Sequence, residues 1–208
     1  MKTFRCGNLV YFPITKHAST YYQFIFGEVL SWEEGDTSDI NFSRDHVFAH
    51  LIHPDSRHTS GVVQAIDKYH LNDYVDHPLL KALLPVAVFD LHSYPLVVSL
   101  GEDWCFQIDW IPLDLPNRTH SGNYLTQKLL AHYNIDINLD QYPKMFVSNS
   151  FKQRLKNKIV ELKKENPHHG TLSSWYERDM LLYNRVTSHI QDHETSWPAI
   201  SWLSHYNP

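Results

Sequence analysis

The chain twice repeats one local pattern: a short apolar run that ends at or just before a proline, followed by helical periodicity. Leu9-Val10-Tyr11-Phe12 is wholly apolar and stops at Pro13, which reads as a buried strand running into a loop. From Tyr22 the apolar residues Ile25, Phe26, Val29 and Leu30 recur at i+3, i+4, i+7 and i+8. That spacing predicts a helix with one apolar face, and Ser19 or Thr20 stands where its cap belongs. Val47-Phe48-Ala49-His50-Leu51-Ile52 reads as a second buried strand closed by His53-Pro54, and a helix is predicted to open at Gly61-Val62-Val63. Buried strands each followed by a helix predict an α/β core with a parallel sheet.

The rest of the chain is read more coarsely. Residues 33–44 are polar and hold Gly35, Asp36, Ser38, Asp39 and Asn41, so they read as a loop or irregular connection. Pro78 to Leu84 predicts a short helix, and Val86-Ala87-Val88-Phe89 either a strand or a buried turn. Phe106 to Ile111 alternates as a strand does, and Ser121 to Tyr133 has helical spacing. Lys152 to Lys164 predicts a basic amphipathic helix and Trp175 to Ile190 a second long one, giving a helical C-terminal half. No internal repeat or low-complexity segment interrupts this order.

Composition narrows the function classes. At 208 residues with 42% hydrophobic residues, the chain has material for one sizeable core and too little bias for disorder. The net charge of -5 is opposite in sign to the field that a general nucleic-acid or anionic-membrane binder needs, so any basic site is local. Cys6 and Cys105 are the 2 cysteines, which excludes a disulfide framework and a four-cysteine zinc site. The N-terminus, Met1 to Phe12, has no apolar stretch of signal-peptide length, and no segment approaches the ~18 apolar residues of a membrane span. The expectation is a soluble protein in a reducing compartment, the cytoplasm. Asn117-Arg118-Thr119 matches a glycosylation sequon and, without a secretory signal, reads as an unmodified loop.

The two strand-to-helix junctions carry the candidate chemistry. Pro13-Ile14-Thr15-Lys16-His17-Ala18-Ser19-Thr20 leads into a helix N-terminus, where unpaired N–H groups and the helix dipole suit a phosphate or sulfate. Lys16 adds a charge, and Ser19 and Thr20 add hydroxyls. No glycine lies between Gly7 and Gly27, which disfavours an ordinary nucleotide P-loop. The second junction, residues 51–61, holds His53, Arg57 and Ser60 and also opens a helix. In a parallel sheet both emerge at the carboxyl ends of the strands, where open α/β sheets bind ligands. Two anion-binding loops suit a ligand phosphorylated at two places.

These residues resemble the sulfotransferases that use phosphoadenosine phosphosulfate (PAPS). The family's 5'-phosphosulfate loop is similar to Phe12-Pro13-Ile14-Thr15-Lys16-His17-Ala18-Ser19-Thr20. Its 3'-phosphate loop shares the Pro, second Arg and Ser of Ile52-His53-Pro54-Asp55-Ser56-Arg57-His58-Thr59-Ser60. Trp175-Tyr176-Glu177-Arg178-Asp179-Met180-Leu181-Leu182-Tyr183 resembles the tyrosine-aspartate helix of carbohydrate and viral or phage members. The resemblance covers residues 10–190. It implies a single sulfotransferase-like domain over residues 1–208, with a P-loop-like three-layer core whose central parallel sheet is flanked by helices. It also implies PAPS as donor, PAP as product and a carbohydrate or small-molecule acceptor, with no nucleic-acid or membrane partner. The donor is expected on Thr15, Lys16, His17, Ala18, Ser19, Thr20, Arg57 and Ser60.

The departures are specific. Thr15 replaces the family's proline before the lysine, and Ile52 stands where its first arginine would bind the 3'-phosphate, so Arg57 or another cation must take over. Lys152 and Arg154 are further candidates, and Asn149-Ser150 resembles a donor-capping segment. Sulfuryl transfer asks for alignment, for charge stabilisation on the departing oxygen, here by Lys16, and for a base on the acceptor hydroxyl. Glu34 is the expected base among Glu33, Glu34, Asp36, Asp39 and His46, and His92 in Leu91-His92-Ser93-Tyr94-Pro95 is its rival. The alternative is a catalytically inactive nucleotide- or anion-binding module of the same fold. A third reading is a metal protein, since His50, His53 and His58 are close in sequence and His168-His169 is adjacent. No metal is expected, because no His-x-x-x-His or His-Glu-x-x-His stands on a predicted helix.

Overall fold

The computed structural model describes residues 2–90, 92–115, 121–143, 150–165, 174–193 and 196–198. The chain divides into two compact units, one made of Met1–Ile52, Gly101–Met145 and Leu182–Pro208, the other of His53–Leu100 and Phe146–Leu181. Asn117-Arg118-Thr119, Asn149 and His168-His169 lie outside the described residues.

The first unit holds a five-stranded sheet of β1 (Lys2–Cys6), β2 (Leu9–Tyr11), β3 (Glu33–Asp36), β4 (His46–Leu51) and β5 (Asp109–Pro112), in the order β3-β1-β2-β4-β5. β2 pairs in parallel with β4 and β4 with β5, while β1 is antiparallel to both β2 and β3. The architecture is therefore α/β, but the expected parallel sheet is mixed. β1 joins β2 through Gly7-Asn8, with Cys6 opposite Leu9 and Gly7 at φ 59, the arrangement of a two-residue hairpin with glycine at its first central position.

The loop expected over residues 33–44 contains edge strand β3 instead. Its Glu33 and Glu34 are poor strand formers, yet an edge tolerates charges, and Lys2 reaches Glu34 across the pair at 2.6 Å. Phe106–Ile111 is corrected as well: α5 (Glu102–Gln107) takes its first residues, and β5 starts at Asp109. Val86-Ala87-Val88-Phe89 forms no strand.

Helix α1 (Ser19–Gln23) widens into a π-helical stretch, Phe24–Val29, with Leu30 N–H donating to Ile25 O at 2.9 Å. The cap is Ala18 in the left-handed region, not Ser19 or Thr20, and no side chain bonds to it. The predicted apolar face is real: Tyr22, Ile25 and Phe26 are buried with Tyr11, Trp32 and Phe48 in an aromatic core. Helix α6 (Ser121–His132) matches its prediction closely.

Buried Asp45 ties β1 to the turn before β4. It accepts both Arg5 Nη1 (2.7 Å) and Nη2 (2.9 Å), Arg44 Nε (2.9 Å) and the Asn41 N–H (2.8 Å). The hydrogen bonds from Arg5 and then Arg44 hold its carboxyl well below the usual carboxylate range. A depressed folded-state pKa contributes stability at neutral pH that is lost as pH falls below the unfolded value of about 4. Urea melts between pH 5 and 2 should show that loss in the wild type. Asp45→Asn should be less stable at pH 7 and lose less on acidification.

The second unit contains α2 (Pro54–Lys68), α3 (Pro78–Leu83), α4 (Leu96–Leu100) and α7 (Ser150–Glu165). Its core joins Val62, Val63 and Ile66 of α2 to Leu155 and Ile159 of α7, with Val75 and Leu84. The last long helix, α8 (Glu177–Asp192), runs past the predicted end at Ile190, and His193 N–H donates to His189 O at 3.0 Å. Gly61 lies within α2 rather than opening it, because Pro54 suits a first helical turn and His53 accepts the Asp55 N–H.

A Cβ on Gly61 would stand 2.4 Å from His92 O, 2.6 Å from His92 C and 2.7 Å from Ser93 N. Those are backbone atoms that no rotamer change can move. Alanine gains about 1 kcal/mol of helix propensity, whereas overpacking costs about 1–3 kcal/mol and more where backbone must shift. Gly61→Ala is therefore expected to be destabilising in urea titration, and a variant as stable as the wild type would refute the close approach.

Candidate functional site

The segment after β2 is held in an unusual backbone conformation. Phe12 N–H donates to Phe48 O and His17 N–H to Ile14 O, at 2.9 and 3.1 Å. Lys16 (φ 69) and Ala18 (φ 53) are left-handed, and they alternate with Thr15 and His17, whose φ is not positive. Each such non-glycine residue costs about 1–2 kcal/mol. Alternation of this kind turns neighbouring N–H groups toward one side, as in anion-binding nests. Thr15, Lys16 and Ser19 are half-buried, while Ala18 and Thr20 are exposed. His17 differs from the rest: it is buried, and its Nδ1 accepts the Ile52 N–H at 3.1 Å, so it fastens this segment to the end of β4. Because β2 and β4 are parallel neighbours, Phe12 and Ile52 both leave the sheet at the carboxyl ends of their strands.

Within the second unit, the first turns of α2 are clamped from below. Buried Lys163 of α7 donates to Asp55 Oδ1 (2.6 Å), Asp55 O (3.2 Å) and Thr59 Oγ1 (2.9 Å). Burial pushes its ammonium below the usual lysine range, and Asp55 partly restores it. Arg57 is buried and donates to Tyr94 O, and burial lowers its pKa against the pull of Asp179 and Tyr176. Ser60 is half-buried on the next turn. Lys152 pairs with Asp67 at 2.9 Å.

The turn from Asp90 to Val97 is the other organised element of this unit. Asp179 caps α4 by accepting the N–H groups of Leu96 (2.6 Å) and Val97 (2.8 Å), and Tyr176 donates to Ser93 O. This gives the tyrosine-aspartate segment a definite structural task. His92 Nδ1 faces Asp90 Oδ1 at 3.0 Å, and its Nε2 lies 3.2 Å from Gln64 Nε2. Burial raises the Asp90 carboxyl, but bonds from His92 and the charges of His92 and Lys68 outweigh it and hold the group below its usual range. A carboxylate beside one nitrogen orients the imidazole, and the other nitrogen meets the Gln64 amide, so His92 can act as a base only where an acceptor displaces that amide.

The other candidate bases are placed differently. Glu34 is exposed on edge strand β3, separated from β2 by β1, and paired with Lys2. His46 opens β4 and has both nitrogens engaged, Nε2 with Asp109 and Nδ1 with the Tyr133 hydroxyl. His50 stacks on Tyr22 at 3.5 Å between ring centroids and contacts Thr126 Oγ1 at 2.9 Å, so it is a core residue. Asp36 and Asp39 cap the 3-10 turn that follows β3. Among the described residues, no group of three or more histidine, cysteine or acidic side chains is arranged to hold a metal ion. None of their helices is long and apolar enough to cross a membrane.

Lys163 and Asp90 went unnoticed in the sequence. A signal existed for Lys163, which falls on the stripe Leu155, Ile159, Lys163 at i, i+4 and i+8 and so on the buried face of α7. No family model, curated protein or solved structure matches the chain.

Proposed function

We propose that the protein is a PAPS-dependent sulfotransferase acting on a hydroxyl or amine of a carbohydrate or small metabolite. The observation that carries this reading is the parallel pairing of β2 with β4, which brings the Lys16 segment and Ile52 out at the carboxyl ends of neighbouring strands. The P-loop-like three-layer arrangement, the donor-binding residues and a cytoplasmic location belong to the same proposal. Thr15, Lys16, Ala18, Ser19 and Thr20 would bind the 5'-phosphosulfate, and Lys16 would take up charge on the departing phosphate oxygen. His17 contributes by holding that segment in place. Ser60 would read the 3'-phosphate, and Arg57, buried and turned inward to Tyr94 O, would have to leave that bond to join it. His92, beside Asp90, serves this reading better than Glu34, which is exposed on edge strand β3 and paired with Lys2.

In the transfer, the acceptor oxygen or nitrogen bonds to sulfur as the bond from sulfur to the bridging oxygen breaks. PAP departs with that oxygen, and the acceptor proton passes to the base. The test is transfer of labelled sulfate from PAPS to a panel of sugar, phenol and amine acceptors. The wild type should label at least one acceptor, and His92→Ala should lower kcat by about 10²–10⁴. Binding of PAP without any transfer would favour the inactive nucleotide-binding module, the reading that Ile52 in place of arginine supports.

A further inference from the structure

Helix α8 ends at Asp192, two residues beyond Ile190, and a helical hydrogen bond carries on to His193, which changes the standing of two histidines. His189 and His193 are four residues apart, and His193 N–H donates to His189 O at 3.0 Å, so His193 follows the last residue of α8 with its backbone one helical turn from His189. Their ring centroids are 4.8 Å apart and the rings are inclined by 50°. Both residues are half-buried, beside the buried stripe of Leu182, Val186 and Ile190 that anchors the helix in its unit. We infer that His189 and His193 form a chelating site for a divalent transition-metal ion of the zinc and copper class.

Three physical arguments support this. Two imidazoles at i and i+4 on one helical face are spaced to share a single ion, as the same spacing does in helical zinc motifs. Imidazole is a ligand suited to Zn²⁺, Cu²⁺ and Ni²⁺ rather than to Mg²⁺ or Ca²⁺. The pair also sits at the carboxyl end of α8, where the last carbonyl groups favour a cation. On the same element Arg185 lies one turn before His189 and Asp192 lies between the two histidines, so the nearest full charges offset one another. His189 and His193 are the two ligands that the described residues supply. An ion bridging successive turns ties the end of α8 and stabilises the native state by linkage. This site is independent of the sulfotransferase reading.

The experiment titrates Cu²⁺ into the full chain and follows its electron paramagnetic resonance spectrum, with Zn²⁺ as competitor. In the wild type the first equivalent should show coupling to two nitrogens, and Zn²⁺ should displace it. Removing one arm of a bivalent site costs about 10²-fold in affinity, so His189→Gln and His193→Gln should each lose that much, while His132→Gln, at the exposed last residue of α6, should lose nothing. Wild-type affinity in either single variant would overturn the site. The wild type supplies a check that needs no variant. Zn²⁺ should protect His189 and His193 from diethylpyrocarbonate ahead of the other histidines, and modification unaffected by Zn²⁺ at these two positions would equally overturn it.

Discussion

Asp179→Ala is expected to destabilise the protein by about 3–5 kcal/mol, the range found when one partner of a buried charged network is removed. The carboxylate is 2% exposed and accepts the N–H groups of Leu96 and Val97. Alanine would leave both donors buried and unsatisfied, at about 1–3 kcal/mol each, and would remove the charge that acts on Arg57. Burial raises the Asp179 carboxyl despite those bonds, so the site holds a charge at a cost that its partners offset. Asp179→Asn keeps the shape and one acceptor and should lose less. Urea unfolding monitored by circular dichroism measures both, and a loss below 1 kcal/mol for alanine would mean that the turn carrying His92 is not held from α8.

Lys16→Ala should abolish sulfuryl transfer with a change in melting temperature of no more than a degree or two. The lysine is half-buried in a connecting segment, and alanine has the same Cβ and meets the same left-handed strain at φ 69. Stability therefore changes little, while the departing oxygen loses its cation, a loss worth about 10²–10³ in rate for a single donor of this kind. Unchanged turnover on any acceptor would remove Lys16 from the mechanism.

The parts of the fold that were legible in the sequence are those whose burial is local and one-sided. Leu9–Tyr11 and His46–Leu51 lie on the apolar runs read as strands, and α6 and α7 end within two residues of their predicted spans. β1 and β3 were illegible because their charges find partners far along the chain, Lys2 in Glu34 and Arg5 in Asp45, which periodicity does not report. The start of α2 was misplaced by seven residues because Gly61 is permitted inside a helix only by the close passage of His92 and Ser93, a contact across the fold. The site divides in the same way. The Lys16 segment and its neighbours could be read from a strand followed by a helix. The inward turn of Arg57 to Tyr94 and the contact between His46 and Asp109 join residues 37 and 63 positions apart, and no local pattern encodes them. His189 and His193 became a pair only because α8 runs two residues past its predicted end and its hydrogen bonding continues to His193.

The proposal that this chain binds and uses a doubly phosphorylated donor is tested most directly by thermal unfolding with PAP. A ligand specific to the native state stabilises it by RT ln(1 + [L]/Kd), about 2.7 kcal/mol at a hundredfold excess over Kd. PAP should raise the melting temperature in a concentration-dependent way, whereas ATP and NADH at the same concentrations should raise it much less. Lys16→Ala and Ser60→Ala should each diminish the PAP shift. Melting temperatures that stay the same with millimolar PAP as without it would contradict the account, and would identify the residues from Pro13 to Thr20 as a strained connection with no nucleotide to hold.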